Sequence, residues 1–189
     1  SGASMRASKV IYDRAGSSIA CLKVGVIDWE KIFAQKDLFH FTGITPAISE
    51  MASKVTEEAV IAAKQLGLTV SADLNYRKNL WSPSEAQKTM KPLMQYVDIA
   101  IGNEEDAEKS LGIAAEGVDV TSGNLNTEAY KSVIKTLVAT YGFKKIGITL
   151  RDSQSADDNG WSALYYDGSE IIDGKNYPVR IVDRVGGGD

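Results

Sequence analysis

From residue 38 to residue 150 the chain alternates short apolar runs with longer stretches that are apolar at every third or fourth position. Few folds accommodate both periods in turn. Leu38-Phe39-His40-Phe41, Thr69-Val70-Ser71-Ala72-Asp73-Leu74, Ile99-Ala100-Ile101-Gly102 and Lys145-Ile146-Gly147-Ile148-Thr149-Leu150 read as strands. Over residues 49–66, Ala52, Val55, Ala59, Ala62, Ala63 and Leu66 share one helical face, and Gly67 is a natural C-terminal stop. Ser82-Pro83-Ser84-Glu85 is a capping box with proline at the first helical position. The helix it starts meets Pro92, where a kink or break is expected. Further helices are expected over 104–111 and, after a loop over 112–125, from Asn126 to the stop at Gly142. Strands alternating with helices predict an α/β fold, a parallel sheet covered on both faces with right-handed crossovers.

The flanks differ. Lys9-Val10-Ile11-Tyr12-Asp13 reads as a strand of mixed composition, suited to a small exposed sheet or lid, with a turn at Gly16-Ser17-Ser18. Residues 1–24 are therefore expected to form part of a lid and its return, and residues 25–189 the core. After residue 150, stretches 161–166, 170–172 and 179–182 look like an antiparallel run. Ser1-Gly2-Ala3-Ser4-Met5-Arg6 does not resemble a translation start, and both ends read as cut from a longer chain.

Composition narrows the function classes. A net charge of −4 argues against nucleic acid or an anionic membrane as the main partner. No apolar run approaches the length of a membrane span, and no signal peptide is visible. The single cysteine, Cys21, has no internal disulfide partner, which fits a reducing, cytoplasmic setting; it reads as a small buried apolar residue.

In such sheets ligands bind at the carboxyl ends of the strands. Chemistry-bearing residues collect there: Gly43-Ile44, Asp73 to Arg77, Gly102-Asn103, Thr149 to Arg151, and Gly186 to Asp189. Gly186-Gly187-Gly188-Asp189 suits a turn whose bare N–H groups hold an anion, with a carboxylate placed to take a proton from a hydroxyl. It also suits a plain tight turn into a helix. In Asp73-Leu74-Asn75-Tyr76-Arg77, a carboxylate, an amide and a guanidinium alternate just past a strand, and arginine suits bidentate contact with phosphate or carboxylate. A surface arginine beside a turn-making Asp/Asn pair reads equally well. Tyr12 and Arg14 share a face of the lid strand, from which they reach an anionic ligand or solvent.

Asn103-Glu104-Glu105-Asp106 places three acids in a helix's first turn, where the dipole alone favours them; the functional alternative is outer-sphere Mg²⁺ holding. His40, the only histidine, lies between Phe39 and Phe41 and reads as structural. Asp157-Asp158-Asn159-Gly160 reads as a hairpin turn.

Asp183-Arg184-Val185-Gly186-Gly187-Gly188-Asp189 resembles the signature of ribokinase-like (PfkB) sugar kinases, whose usual form, Gly-Ala-Gly-Asp, Gly187 alters. Asp73-Leu74-Asn75-Tyr76-Arg77 with Leu80-Trp81 resembles the family's Asp-x-Asn-x-Arg segment. Within the family, Ser8 to Arg14, Phe41 to Pro46 and Asp158-Asn159-Gly160-Trp161 look most like 2-keto-3-deoxygluconate kinases.

The resemblance covers essentially the whole chain. It implies a three-layer α/β/α sandwich with a mostly parallel central sheet and a small β lid. It implies transfer of the ATP γ-phosphoryl group, with Mg²⁺, to the terminal hydroxyl of 2-keto-3-deoxygluconate, giving the 6-phosphate. Asp189 would be the base, and the backbone of Gly186, Gly187 and Gly188 would stabilise the phosphoryl group. Tyr12, Arg14 and Ile44 would contact the sugar acid. Arg77 would bridge sugar and ATP phosphates, while Asn75, Asn103, Thr149 and Arg151 would face the nucleotide. Asp106, where the family usually has glutamate, would hold Mg²⁺ through water. Lid strands of such kinases often pair between subunits, which implies a homodimer. The family's N-terminal segment, with further substrate contacts, and its adenine-binding C-terminal segment lie outside these 189 residues. A fructokinase or another ribokinase-like kinase is the near alternative. A non-catalytic sugar- or nucleotide-binding fragment is the distant one.

Overall fold

The computed structural model describes residues 13–103, 105–115, 127–153, 155 and 157–182. Residues 9–12 of the expected lid strand, Tyr12 among them, the helix-opening Asn126 and the Gly186–Asp189 turn lie outside them.

In chain order the elements are α1 (Ser18–Cys21), α2 (Trp29–Phe33), β1 (Leu38–Thr42), α3 (Ile44–Ile48), α4 (Glu50–Gln65), β2 (Thr69–Asp73), α5 (Pro83–Met94), β3 (Ile99–Asn103), α6 (Asp106–Leu111), α7 (Thr127–Tyr141), β4 (Lys145–Ser153), β5 (Asp158–Tyr166), β6 (Ile171–Asp173) and β7 (Tyr177–Arg180). The sheet order is β1-β2-β3-β4-β5-β6, with β7 also pairing β5. Strands β1 to β4 are mutually parallel; β5, β6 and β7 extend the sheet antiparallel. This is the expected α/β architecture, parallel core and antiparallel continuation included.

The register explains the core. Phe41 pairs with Ala72, Ala72 with Ala100, Ala100 with Ile146, and Ile148 with Leu164. Paired residues share a face, and these pack with Val60, Met90, Met94, Ile134 and Leu137 of the helices in one buried cluster. The alternate residues His40, Ile101, Thr149 and Tyr165 point the other way and are exposed. Among the described residues, the long helices α4, α5 and α7 all serve the one apolar face.

Local chemistry sets the element ends. Ser49 caps α4 by accepting from the Ala52 N–H at 3.0 Å, and its hydroxyl donates to the Ala20 carbonyl at 2.8 Å, which ties α1 down. Gly67 takes a left-handed φ of 82° so that the chain can leave α4 and enter β2. The capping box at Ser82 is complete, with both reciprocal bonds formed.

Some expectations are corrected. Helix α5 runs through Pro92 without a break. The proline forfeits its bond only one turn from the helix end, and buried Leu93 and Met94 hold that turn in the core. Cys21 is exposed: in so short a helix only one face is covered, and Ala20 occupies it. Asp158, Asn159 and Gly160 begin β5 rather than forming the turn, since they pair with β4 and β7. Directly after β1 and Gly43 the chain turns into the short helix α3. No helix among the described residues is long and apolar enough to cross a membrane.

Candidate active site

The carboxyl ends of β1, β2 and β3 form one ledge. Thr42 pairs with Asp73 and Asp73 with Ile101, while Asn103 pairs with Thr149 in mid-β4. On this ledge the chain leaving each strand is fastened to its neighbour. The Gly43 N–H donates to the Asp73 carbonyl at 2.8 Å, and the Leu74 N–H donates to the Ile101 carbonyl at 2.8 Å. A side chain at Gly43 would collide with the Leu74 carbonyl oxygen, so glycine permits this approach. Asn75 stands in the left-handed region (φ 40°), and its amide nitrogen donates to Thr42 Oγ1 at 3.1 Å. Such a conformation suits asparagine better than most residues.

Above the ledge lies an open cleft of about 630 Å³ lined by Arg14, Ile44, Tyr76, Arg77, Lys78, Asn79, Leu80, Asn103, Glu105 and Asp106. Five of the expected site residues, Arg14, Ile44, Arg77, Asn103 and Asp106, thus meet around one space. Asn75 lies just below, bonded to Thr42, and Thr149 donates to the Gly102 carbonyl at 3.4 Å. Arg151 lies farther along β4, paired with Trp161 and outside the cleft lining. Tyr12, Gly186, Gly187, Gly188 and Asp189 lie outside the described residues. Lys78 and Asn79 also line the cleft; their only sequence signal is adjacency to Arg77.

Asp106 organises the floor. Its Oδ1 accepts from the Tyr76 N–H at 2.9 Å and its Oδ2 from the Asn103 N–H at 2.7 Å. The Asn103 side-chain oxygen in turn accepts from the N–H groups of Glu105 and Asp106 at 2.8 and 3.1 Å, which caps the start of α6. Asp106 is 3% exposed. Burial raises its pKa to about 6; the two backbone donors oppose this, the Asp73 charge adds to it, and the Arg77 charge opposes it. Burial also raises Asp73, against the Asn75 N–H and the charges of His40 and Arg77.

The wall is cationic. Arg14, Arg77 and Lys78 line it, and the Arg77 guanidinium donates to the Tyr76 carbonyl at 2.9 Å. Guanidinium groups flanking an open polar cleft suit an anionic ligand. The described residues contain no group of three or more His, Cys, Asp or Glu that would hold a metal. A divalent ion here would therefore need its waters and a ligand's phosphate oxygens to complete its shell, as Mg²⁺ commonly does.

A family model described as pfkB family carbohydrate kinase matches residues 12–147. The crystal structure of a 2-dehydro-3-deoxygluconokinase from Thermotoga maritima superposes with a TM-score of 0.85 at 46% identity, over 94% of this chain and 52% of that one. A 2-dehydro-3-deoxygalactonokinase from Haloferax volcanii is 27% identical over 188 residues, covering 100% of this chain and 52% of the relative. A 2-dehydro-3-deoxygluconokinase from Thermoproteus tenax is 31% identical over 109 residues, 56% of this chain and 32% of the relative. The chain spans about half the length of the first two, and its match covers about a third of the last.

Proposed function

The chain belongs to the pfkB family of carbohydrate kinases, and from that premise we propose that it carries much of the active site of an ATP-dependent kinase for a 2-keto-3-deoxy sugar acid, 2-keto-3-deoxygluconate in the first instance. The observation that carries this reading is the cationic wall, where Arg14, Arg77 and Lys78 flank a single open cleft. Beside the phosphates of ATP, a substrate carboxylate offers this wall a second anion for bidentate arginine contact, which a neutral hexose does not. The Thermotoga and Thermoproteus relatives named for this substrate support the choice.

In this reading Arg14, with Tyr12 beside it on the lid, binds the substrate carboxylate and polar oxygens, and Ile44 packs against the carbon chain. Arg77 sits between sugar and phosphates and orients both. Asn75, Asn103, Thr149 and Arg151 face the nucleotide. Asp189 takes the proton from the terminal hydroxyl as its oxygen bonds to the γ-phosphorus; the bond to the bridging oxygen breaks and ADP leaves. The backbone N–H groups of Gly186, Gly187 and Gly188 receive the charge on the transferring group. Mg²⁺, carried with ATP, supplies neutralisation of phosphate charge; Asp106 would contact it through water. A homodimer through the lid belongs to the same proposal, and light scattering on the purified protein measures it.

The test is ADP release from ATP and Mg²⁺ by the full-length protein, with 2-keto-3-deoxygluconate, its galactonate epimer, fructose and ribose offered separately. Turnover of the sugar acids alone is expected. Preference for fructose or ribose would replace the acid-sugar reading with a fructokinase or ribokinase one, and folded protein inert toward all four would leave only a binding role.

A further inference from the structure

The cleft wall has a dependence that the catalytic reading does not use. Residues 76–81 form a closed loop: the Tyr76 hydroxyl donates to the Trp81 carbonyl at 3.1 Å, and the Leu80 N–H donates to the Arg77 carbonyl at 2.9 Å. The loop supplies Tyr76, Arg77, Lys78, Asn79 and Leu80 to the cleft lining. A loop closed on itself moves as a unit unless it is tied to its surroundings. Its first backbone N–H, that of Tyr76, is taken by Asp106 Oδ1, while Asp106 Oδ2 takes the N–H of Asn103 at the end of β3. One buried carboxylate therefore spans two crossovers. Gly102 makes room for it: a Cβ there would stand 3.1 Å from Asp106 Cβ and 3.2 Å from Oδ2.

We propose that Asp106 is a positioning residue whose carboxylate ties the 76–81 loop to the end of β3 and thereby sets where Arg77 stands in the cleft. What it implies for turnover rests on the kinase reading above; the tie itself does not. Each oxygen accepts one backbone donor and keeps a further lone pair, so this tie acts through the loop and is separate from the water-mediated Mg²⁺ contact proposed above.

The test uses full-length protein and the variants Asp106→Asn and Gly102→Ala. An asparagine accepts from only one of the two N–H groups, and an alanine at 102 crowds the carboxylate while leaving it present. Exchange of backbone amides, followed residue by residue, should speed up at Tyr76 in both variants by about tenfold or more, with Ala100 in mid-β3 unchanged, as expected for a local opening. Turnover of the sugar acid should fall by up to about 100-fold, the usual scale for a misplaced catalytic contact. In an Arg77→Ala background the same substitutions should cost little more, because they act through Arg77. Unchanged exchange at Tyr76 would overturn the tie. Losses that add to that of Arg77→Ala, or that extra Mg²⁺ reverses, would overturn the positioning role in favour of metal holding. Loosened exchange in a protein that phosphorylates no sugar would uphold the tie while removing the kinase reading.

Discussion

Arg14 precedes α1 and Arg77 follows β2, with six elements between them, yet both line the cleft. If each contacts a substrate carboxylate, Arg14→Ala should raise KM for the sugar acid by about 1.5–3 kcal/mol, roughly 10- to 150-fold. An unchanged KM in steady-state kinetics would count against a carboxylate at that wall. Asp98 works at the other end of the sheet. Its Oδ2 accepts from the Lys64 ammonium at 2.7 Å and the Val70 N–H at 2.9 Å, and its Oδ1 from Lys144 at 2.9 Å. Burial by itself would raise its pKa, but these donors outweigh burial and hold the carboxyl at about 2. Since the folded value is below the unfolded one, the stabilisation is present above about pH 4 and is lost as pH falls through 2. Asp98→Asn is therefore expected to cost about 1.5–3 kcal/mol in urea unfolding at pH 7, with the gap closing toward pH 2. A gap that persists at pH 2 would assign the effect to packing instead.

The elements follow local rules, and their positions follow contacts. Ser82 and Glu85 form a reciprocal cap that was legible in four letters and is present in the structure. Ser82→Ala should lower the melting temperature by an amount worth about 1 kcal/mol, and a neutral result would mean that core packing alone holds the first turn of α5. Pro92 reads as a breaker for the same local reason, yet the helix continues because Leu93 and Met94 are buried. The link between β1 and α3 is tighter still. Gly43→Ala must push against the Leu74 carbonyl, and overpacking of this kind costs about 1–3 kcal/mol. Chemical denaturation gives the cost, and because Ile44 follows directly, sugar affinity should fall with it.

At the scale of the molecule, the cleft draws on the chain before α1 and on the segments after β1, β2 and β3. A ligand there bridges segments that separate on unfolding, so it should stabilise the whole fold rather than one loop. A sugar acid or nucleotide at 100 times its Kd should add about 2.7 kcal/mol, read as a shift in melting temperature. A fragment that folds but binds neither would show no shift. The sheet directs this arrangement: parallel strands send every crossover out at the same edge, so residues far apart in sequence meet there.

The order of the parallel strands and the long helices between them, the capping box at Ser82, the stop at Gly67, and the ledge of polar residues at the strand ends were in the sequence by itself. Each depends on periods of two and 3.6 or on neighbours within a turn. The family resemblance was also there, because its motifs are runs of adjacent residues. The tertiary structure alone decided the surroundings of Asp106. In the sequence it is one of three acids at a helix start, all equally suited to solvent. It is buried in space that Gly102, having no side chain, leaves free, and the N–H groups of Tyr76 and Asn103 converge on it. The exposure of Cys21 was settled the same way, by Ala20 filling the only face that α1 buries. Burial depends on what the rest of the chain brings alongside, and no local pattern encodes that.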